Sequence, residues 1–293
     1  PRGVTAALLI PAVWASFPVL SNFQYGQFHL PSIGLAILGM ILFSSKRYAL
    51  GGAALAVGMV AKIAPGILLV YLLVKKRYRE VGWTLGFCVV YTALAYAVVG
   101  PEPFRAFFDY HLPRLNSGAA FDFASAWPDF TDLIIAGNQS PWGVVYKLGA
   151  LGVAGMGDMV ARGAHIIYAL GALVVAALVA RRNTTRFPEP LIWLALINLA
   201  GLVSKGAWGD YIAVGTVWAM TYLTLEFAGS LKQRLYLALC WVFLALSLGV
   251  MPAPVLIEMP QVMILLSLIG VITLVSVNIW IALGRPAPAQ ADA

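Results

Sequence analysis

Lys62 lies in the apolar run AVGMVAKIAPGILLV, three residues before Pro65. An ionisable residue inside such a run costs roughly 2.5–3.5 kcal/mol on membrane-insertion scales, so its presence needs a reason. A cation at that depth can hold a lipid-linked phosphate; its alternatives are snorkelling to an interface or bonding to backbone carbonyls. A second set occupies residues 204–211, SKGAWGDY, between two apolar runs. There Asp210 offers an acid or base, Trp208 a flat platform for a sugar ring, and Lys205 a second cation. Equally, Lys205 and Asp210 can pair with each other or sit in water. A third set is made of amides. Residues 22–27 read NFQYGQ, with His29 following, and residues 138–140 read NQS. Gln27, Asn138 and Gln139 can each donate and accept, which suits hydroxyls and phosphate oxygens; such side chains also simply cap helices. The NQS triplet fits the N-glycosylation acceptor pattern, but Pro141 directly after it makes a poor acceptor.

Other chemistry finds no support. No CxxC, HExxH or phosphate-loop pattern is present, so neither a metal nor a nucleotide cofactor is expected. The two cysteines, Cys88 and Cys240, both lie in apolar runs and read as packed thiols. Asp158, His165 and Glu226 sit near the ends of apolar runs and read as solvated residues without a role.

The elements that must position these groups follow from composition. The chain has 293 residues, 61% of them hydrophobic and 11% charged, against about 25% charged in an ordinary soluble domain. Too few charges remain to cover a water-exposed surface, so membrane lipid must cover much of it. The net charge of +7 does not imply a nucleic-acid partner, because the basic residues cluster between apolar runs.

Apolar runs fall near 4–20, 27–44, 48–74, 82–99, 160–180, 190–204, 211–227, 235–250 and 262–283. Barrel-type alternation is absent, so these are helices. The fold class is all-α, a polytopic transmembrane bundle. Basic clusters at Lys46-Arg47, Lys75-Lys76-Arg77 with Arg79, Arg181-Arg182 with Arg186, and Lys232 with Arg234 mark the cytoplasmic side. Residues 48–74 carry such clusters at both ends, so a single crossing would break the pattern. A hairpin of two half-helices, permitted by Gly51, Gly52, Gly58, Pro65 and Gly66, restores it. About eight full spans plus this hairpin then put 21–26, 100–158, 205–210 and 251–261 on one outer face. Residues 142–155 are apolar but short and read as interfacial. Residues 101–115, with Phe104, Phe107, Phe108 and Leu112 at helical spacing, read as an amphipathic helix on the outer surface, with a plain linker as the alternative. Residues 1–285 form one transmembrane domain, including the outer loop 100–158, and residues 286–293 a disordered tail.

Gly26-Gln27 opening a span, the basic loop Lys46-Arg47, the glycine-rich run at 51–66 with Lys62 before Pro65, KKRYR at 75–79, NQS at 138–140 and SKGAWGDY at 204–211 recur in an order and spacing that resembles glycosyltransferase family 87. The resemblance runs from about residue 20 to 225. It implies a GT-C-type membrane fold and a mannosyltransferase-like enzyme that uses a polyprenyl-phosphate sugar. Two positions depart from the family pattern: Lys205 stands where proline is usual, and Asp210 where histidine is usual. The resemblance also places the principal catalytic carboxylate in an outer loop ahead of Pro1, so the chain reads as truncated at its N-terminus and lacking its main base.

The expected function is hexosyl transfer, with mannose as the sugar, from a polyprenyl-phosphate donor to a lipid or glycan acceptor at the outer face of a bacterial plasma membrane, with inversion. Asp210 is the catalytic candidate within the chain. Gln27, Lys62, Asn138, Gln139, Lys205 and Trp208 are the substrate-binding candidates, with Arg114 a further cation for the leaving phosphate. A lipid or solute transporter or flippase is the alternative, since broken helices and an intramembrane lysine suit it too. No internal repeat across two halves is visible in the sequence.

Overall fold

Apolar runs without strand-type alternation can satisfy their backbone in lipid only as helices, and each run that falls within the described residues is helical. The computed structural model describes residues 10–11, 13–117, 119–121, 125, 127–182, 184–226, 230–246 and 258–284. Among these there is no strand, and one isolated bridge pairs Asn138 with Trp208. The fold is all-α. The expected tail at 286–293 and most of the loop at 251–261 lie outside the described residues.

Helix α1 (Phe17–Gln24) turns into α2 (His29–Ser44) with a bend of 107°. Helix α3 (Tyr48–Ala61) follows, then a 3-10 turn (Ala64–Gly66), α4 (Ile67–Val74) and α5 (Tyr78–Val99). The stretch expected to be an amphipathic helix is helical. It runs as α6 (Glu102–Ala106), a π turn (Phe107–His111) and α7 (Leu112–Ser117), with Phe107 and Phe108 exposed. Then come α8 (Thr131–Gly137), α9 (Pro141–Ala150), α10 (Asp158–Ala180), α11 (Glu189–Gly201), α12 (Gly209–Ile212), α13 (Val214–Glu226), α14 (Leu231–Ala245) and α15 (Pro260–Leu283). Cys88 and Cys240 are separate free thiols.

Small residues let α3 lie between α2 and α5. A Cβ on Gly39 would stand 2.8 Å from the Gly51 carbonyl oxygen, and one on Gly58 would stand 2.9 Å from that of Ser32. On the other flank, a Cβ on Gly52 would meet Trp83 at 2.7 Å. In lipid, such backbone approach supplies the van der Waals contact that the hydrophobic effect cannot. Ser32 Oγ adds a 2.9 Å hydrogen bond to the Gly58 carbonyl. Deeper in the bundle, α11, α13 and α15 are tied by amides and a hydroxyl. Asn198 Nδ2 donates to Asn278 Oδ1 at 2.9 Å, and Asn278 Nδ2 donates to Thr216 Oγ1 at 2.8 Å.

The pairings fix which end is which. Tyr48, opening α3, lies 3.9 Å from the Arg79 guanidinium, which opens α5, so these two helices start at the same level. Lys75 and Tyr71 both reach Glu189 Oε1, at 3.8 and 3.0 Å. Arg182 Nη1 donates to the Leu283 carbonyl at 2.6 Å, and Arg186 faces the Trp280 ring. The basic clusters at 46–47, 75–79 and 181–186 therefore gather at one end, as charge segregation across a membrane demands. Residues 48–74 begin and end there. The break that this requires falls at Lys62, whose φ of −149° and ψ of 131° end α3 in extended backbone. The second half, α4, packs on α10 and α11.

Length limits what can cross. Among the described residues, only α5, α10 and α15 are single helices long and apolar enough to span a bilayer, and the bent α1–α2 pair would make a fourth. Helix α11, with 13 residues, rises about 20 Å, short of the roughly 30 Å hydrocarbon core. Helix α9, with 10 residues, reaches only about 15 Å, so residues 142–155 do not make a straight crossing.

Candidate active site at the end opposite the basic loops

The turn after α1 explains why glycine precedes Gln27. Gly26 takes φ +59°, a left-handed conformation that a residue without Cβ adopts freely. Its amide bonds to the Phe23 carbonyl, and the Gln27 amide reaches back to the Asn22 carbonyl at 2.8 Å, closing the helix. The reversal leaves Gln27 Oε1 3.1 Å from Lys62 Nζ at the break in α3. Two residues expected to bind substrate thus meet across 35 positions of sequence. The amide oxygen takes one ammonium proton and leaves others for a further acceptor.

The NQS turn and the 205–208 segment also come together. Gln139 N donates to the Ala207 carbonyl at 2.6 Å. The Lys205 carbonyl accepts from both Asn138 Nδ2, at 2.9 Å, and Ser140 Oγ, at 3.0 Å. Ser140 Oγ in turn accepts from Gly143 N and so caps α9. Trp208 packs on the bare backbone of Gly137, where a Cβ would stand 2.8 Å from its ring. Lys205 Nζ lies 4.8 Å from the centre of the Trp142 ring. Burial and the neighbouring Arg162 charge hold its ammonium below the usual lysine value, and Asp158 partly offsets them.

The geometry redistributes the expected roles. Gln139 is 1% exposed, and its Nε2 donates to Ser267 Oγ on α15 at 2.9 Å and to the Ala136 carbonyl. Asn138 uses Nδ2 on Lys205, and its Oδ1 accepts from Ser140 N. Both amides thereby build the turn itself. Arg114 stays local, donating to the Ala119 carbonyl and facing the Tyr110 ring. Asp210 lies in α12, beside α1, and its side chain lies outside the described residues.

One residue escaped the sequence reading. Lys147 in α9 is fully buried, and its Nζ donates to the Asn138 carbonyl at 2.6 Å. Burial brings its pKa down to about 7. The signal was available: a single lysine within WGVVYKLGALGVAG is as anomalous as Lys62 in its own run.

These features define a helical membrane protein with a polar site of cations, amides and an indole at one end, away from its basic loops. Residues 2–204 match the sequence profile of glycosyltransferase family 87, and the chain belongs to that family. Its activity class is therefore that of a glycosyltransferase. The matched span takes in Gln27, Lys62, Asn138 and Gln139 and stops just short of Lys205, Trp208 and Asp210. No curated protein and no solved structure matches the chain.

Proposed function

We propose that the chain is a GT-C-type hexosyltransferase that takes mannose from a polyprenyl-phosphate donor and passes it to a lipid or glycan acceptor at the outer face of a bacterial plasma membrane. The reading includes about eight crossings with 48–74 as a re-entrant hairpin, which sets the polar end outside. The observation that carries it is the Lys62–Gln27 contact at the break in α3. A cation at the tip of an otherwise apolar segment suits a phosphate whose isoprenoid tail never leaves the bilayer. An apolar groove of about 770 Å³, lined by Ile37, Leu38, Leu194, Trp218 and Tyr222 among others, offers room for such a tail.

In the reaction, a carboxylate accepts the proton of an acceptor hydroxyl while its oxygen attacks the anomeric carbon. The bond from that carbon to the phosphate oxygen breaks, and the phosphate leaves with the electron pair. One displacement inverts the centre. Lys62 and Lys205 stabilise the departing charge, Trp208 offers the sugar a flat face, and Asp210 is the candidate base within this chain.

The test is transfer of radiolabelled mannose from polyprenyl-phosphate-mannose to a membrane lipid extract, with Lys62→Ala and Asp210→Asn beside the wild type. Transfer that Lys62→Ala abolishes in a folded protein supports the reading. Transfer from a different polyprenyl-phosphate sugar corrects the hexose. No transfer from any such donor would remove the reading.

A further inference from the structure

Helix α14 packs along α13, while the described parts of both only graze α15, so a cleft of about 360 Å³ opens between the three. Its inner wall is apolar, with buried Leu223, Leu237 and Val277 contributed by one helix each. Its mouth lies at the basic end, where α14 begins and α15 ends. Arg186 reaches the mouth from the loop before α11 and faces the Phe187 and Trp280 rings, each at 5.5 Å. Those two rings meet edge to face at 5.0 Å. Trp280 and Tyr236, both exposed, flank the opening, and such amphipathic rings gather where a bilayer's headgroups begin. Among the described residues the Arg186 guanidinium is partnered by aromatic faces and by no carboxylate. Glu189, close by in sequence, is engaged by Lys75 and Tyr71. Lys232 stands one turn before Tyr236 on α14. Across residues 181–187, 223–237 and 276–284 the sequence sets Arg181, Arg182, Arg186, Lys232 and Arg234 against Glu226 alone. A positive rim over an apolar interior matches a molecule with an anionic head and a hydrocarbon chain.

We propose that this cleft binds one anionic phospholipid of the adjoining leaflet, with its phosphodiester at Arg186 and an acyl chain along Leu223, Leu237 and Val277. The forked N–H groups of Arg186 match phosphate oxygens. Held against two rings, the guanidinium keeps those donors for the headgroup and has less freedom to lose on binding. The lipid fills the gap beside α15 and so couples α14 to it. The site lies at the end opposite the Lys62–Gln27 contact and takes a structural lipid, not a sugar donor, so it goes beyond the transferase reading and does not rest on it.

Thermal unfolding of the full chain in dodecyl maltoside tests this. The probes are dioleoyl phosphatidylglycerol, dioleoyl phosphatidylcholine and soluble glycerol 3-phosphate. The proteins are the wild type, Arg186→Gln, Ser276→Phe and Lys76→Gln. Phosphatidylglycerol should raise the wild-type midpoint at lower concentration than phosphatidylcholine, and glycerol 3-phosphate should leave it unchanged. Arg186→Gln should raise the half-saturating phosphatidylglycerol concentration by about tenfold or more, the size expected for one hydrogen bond to a charged group. Ser276 is exposed on the cleft wall, so Ser276→Phe should fold and obstruct the cleft, with a comparable loss. Lys76→Gln removes a charge from another loop of the basic end and should respond as the wild type does. Equal action of the two lipids, or an equal rise with glycerol 3-phosphate, would overturn the proposal. So would an unchanged response in Arg186→Gln or in Ser276→Phe. A loss in Lys76→Gln matching that in Arg186→Gln would overturn it too, because diffuse attraction to the whole basic end would then suffice. If Arg186→Gln does not fold, Ser276→Phe decides. None of these readouts uses sugar transfer, so failure of the transferase assignment leaves the site in place, and failure of the site leaves that assignment untouched.

Discussion

The ammonium of Lys147 donates to the backbone carbonyl of Asn138 from a position with no exposure to solvent. The bond ties α9 to the turn that carries the NQS triplet, and that turn is in turn bonded to the 205–208 segment. Lys147 is thus a positioning residue, acting on the site through Asn138.

Its burial makes stability depend on pH. The folded-state pKa is depressed from 10.5 to about 7, so between those values the unfolded chain holds a proton that the native chain does not. Native stability therefore rises with pH across that window, by up to about 1.4 kcal/mol per unit, and is lost as pH falls toward 7. Lys147→Met should remove this share of the slope. Unfolding of both proteins in detergent between pH 7 and 10 provides the check; parallel curves would mean that Lys147 titrates normally.

Lys62 and Gln27 should act as a coupled pair. A hydrogen bond to a charged group is worth about 1.5–3 kcal/mol, so Lys62→Ala should lower sugar transfer by roughly tenfold to a hundredfold or more. Gln27→Ala should cost less, because it orients the ammonium rather than supplying charge. The double variant should be no worse than Lys62→Ala alone, since the amide has nothing left to orient. Additive losses in kcat/KM would show that the two residues serve different groups.

How far the sequence could be read follows from the range of each signal. Helix content was legible because a membrane helix satisfies its backbone locally, so an apolar run declares itself. The break at Lys62 was legible from the basic clusters at both ends of 48–74 and from Pro65, although the extended residue is Lys62 itself. The roles of Asn138 and Gln139 were not legible. Their partners, the Lys205 carbonyl and Ser267, lie 67 and 128 positions away, and amides that bind a ligand look no different in sequence from amides that brace a turn. His165 read as a solvated residue without a role, because only the fold brings Lys205 into its neighbourhood.

The α2–α3 contact predicts sharp intolerance at Gly39. A side chain there would meet both the Gly51 carbonyl and the Leu55 amide at 2.8 Å, and neither backbone can yield. Gly39→Val should cost about 1–3 kcal/mol by overpacking. Gly34, on the same helix, has open space at its Cβ position, so Gly34→Ala should be close to neutral or mildly stabilising. Thermal midpoints of the two variants decide the matter, and equal midpoints would mean that α2 and α3 do not pack this closely.

Two basic loops are built alike. Lys46 and Lys76 take φ of +59° and +58°, each just after a helix ends. Their amides bond to the Phe43 and Leu73 carbonyls, while the amides of Arg47 and Arg77 reach back to Leu42 and Leu72. Glycine usually fills this position, because a Cβ in left-handed backbone costs roughly 1–2 kcal/mol. The lysines retain positive charge at the basic end despite that cost. Lys76→Gly and Lys76→Ala remove the same charge, but only glycine relieves the strain. The glycine variant should therefore unfold at a higher temperature than the alanine variant, by about 1 kcal/mol of stability. Equal midpoints would show that the loop does not hold its left-handed turn.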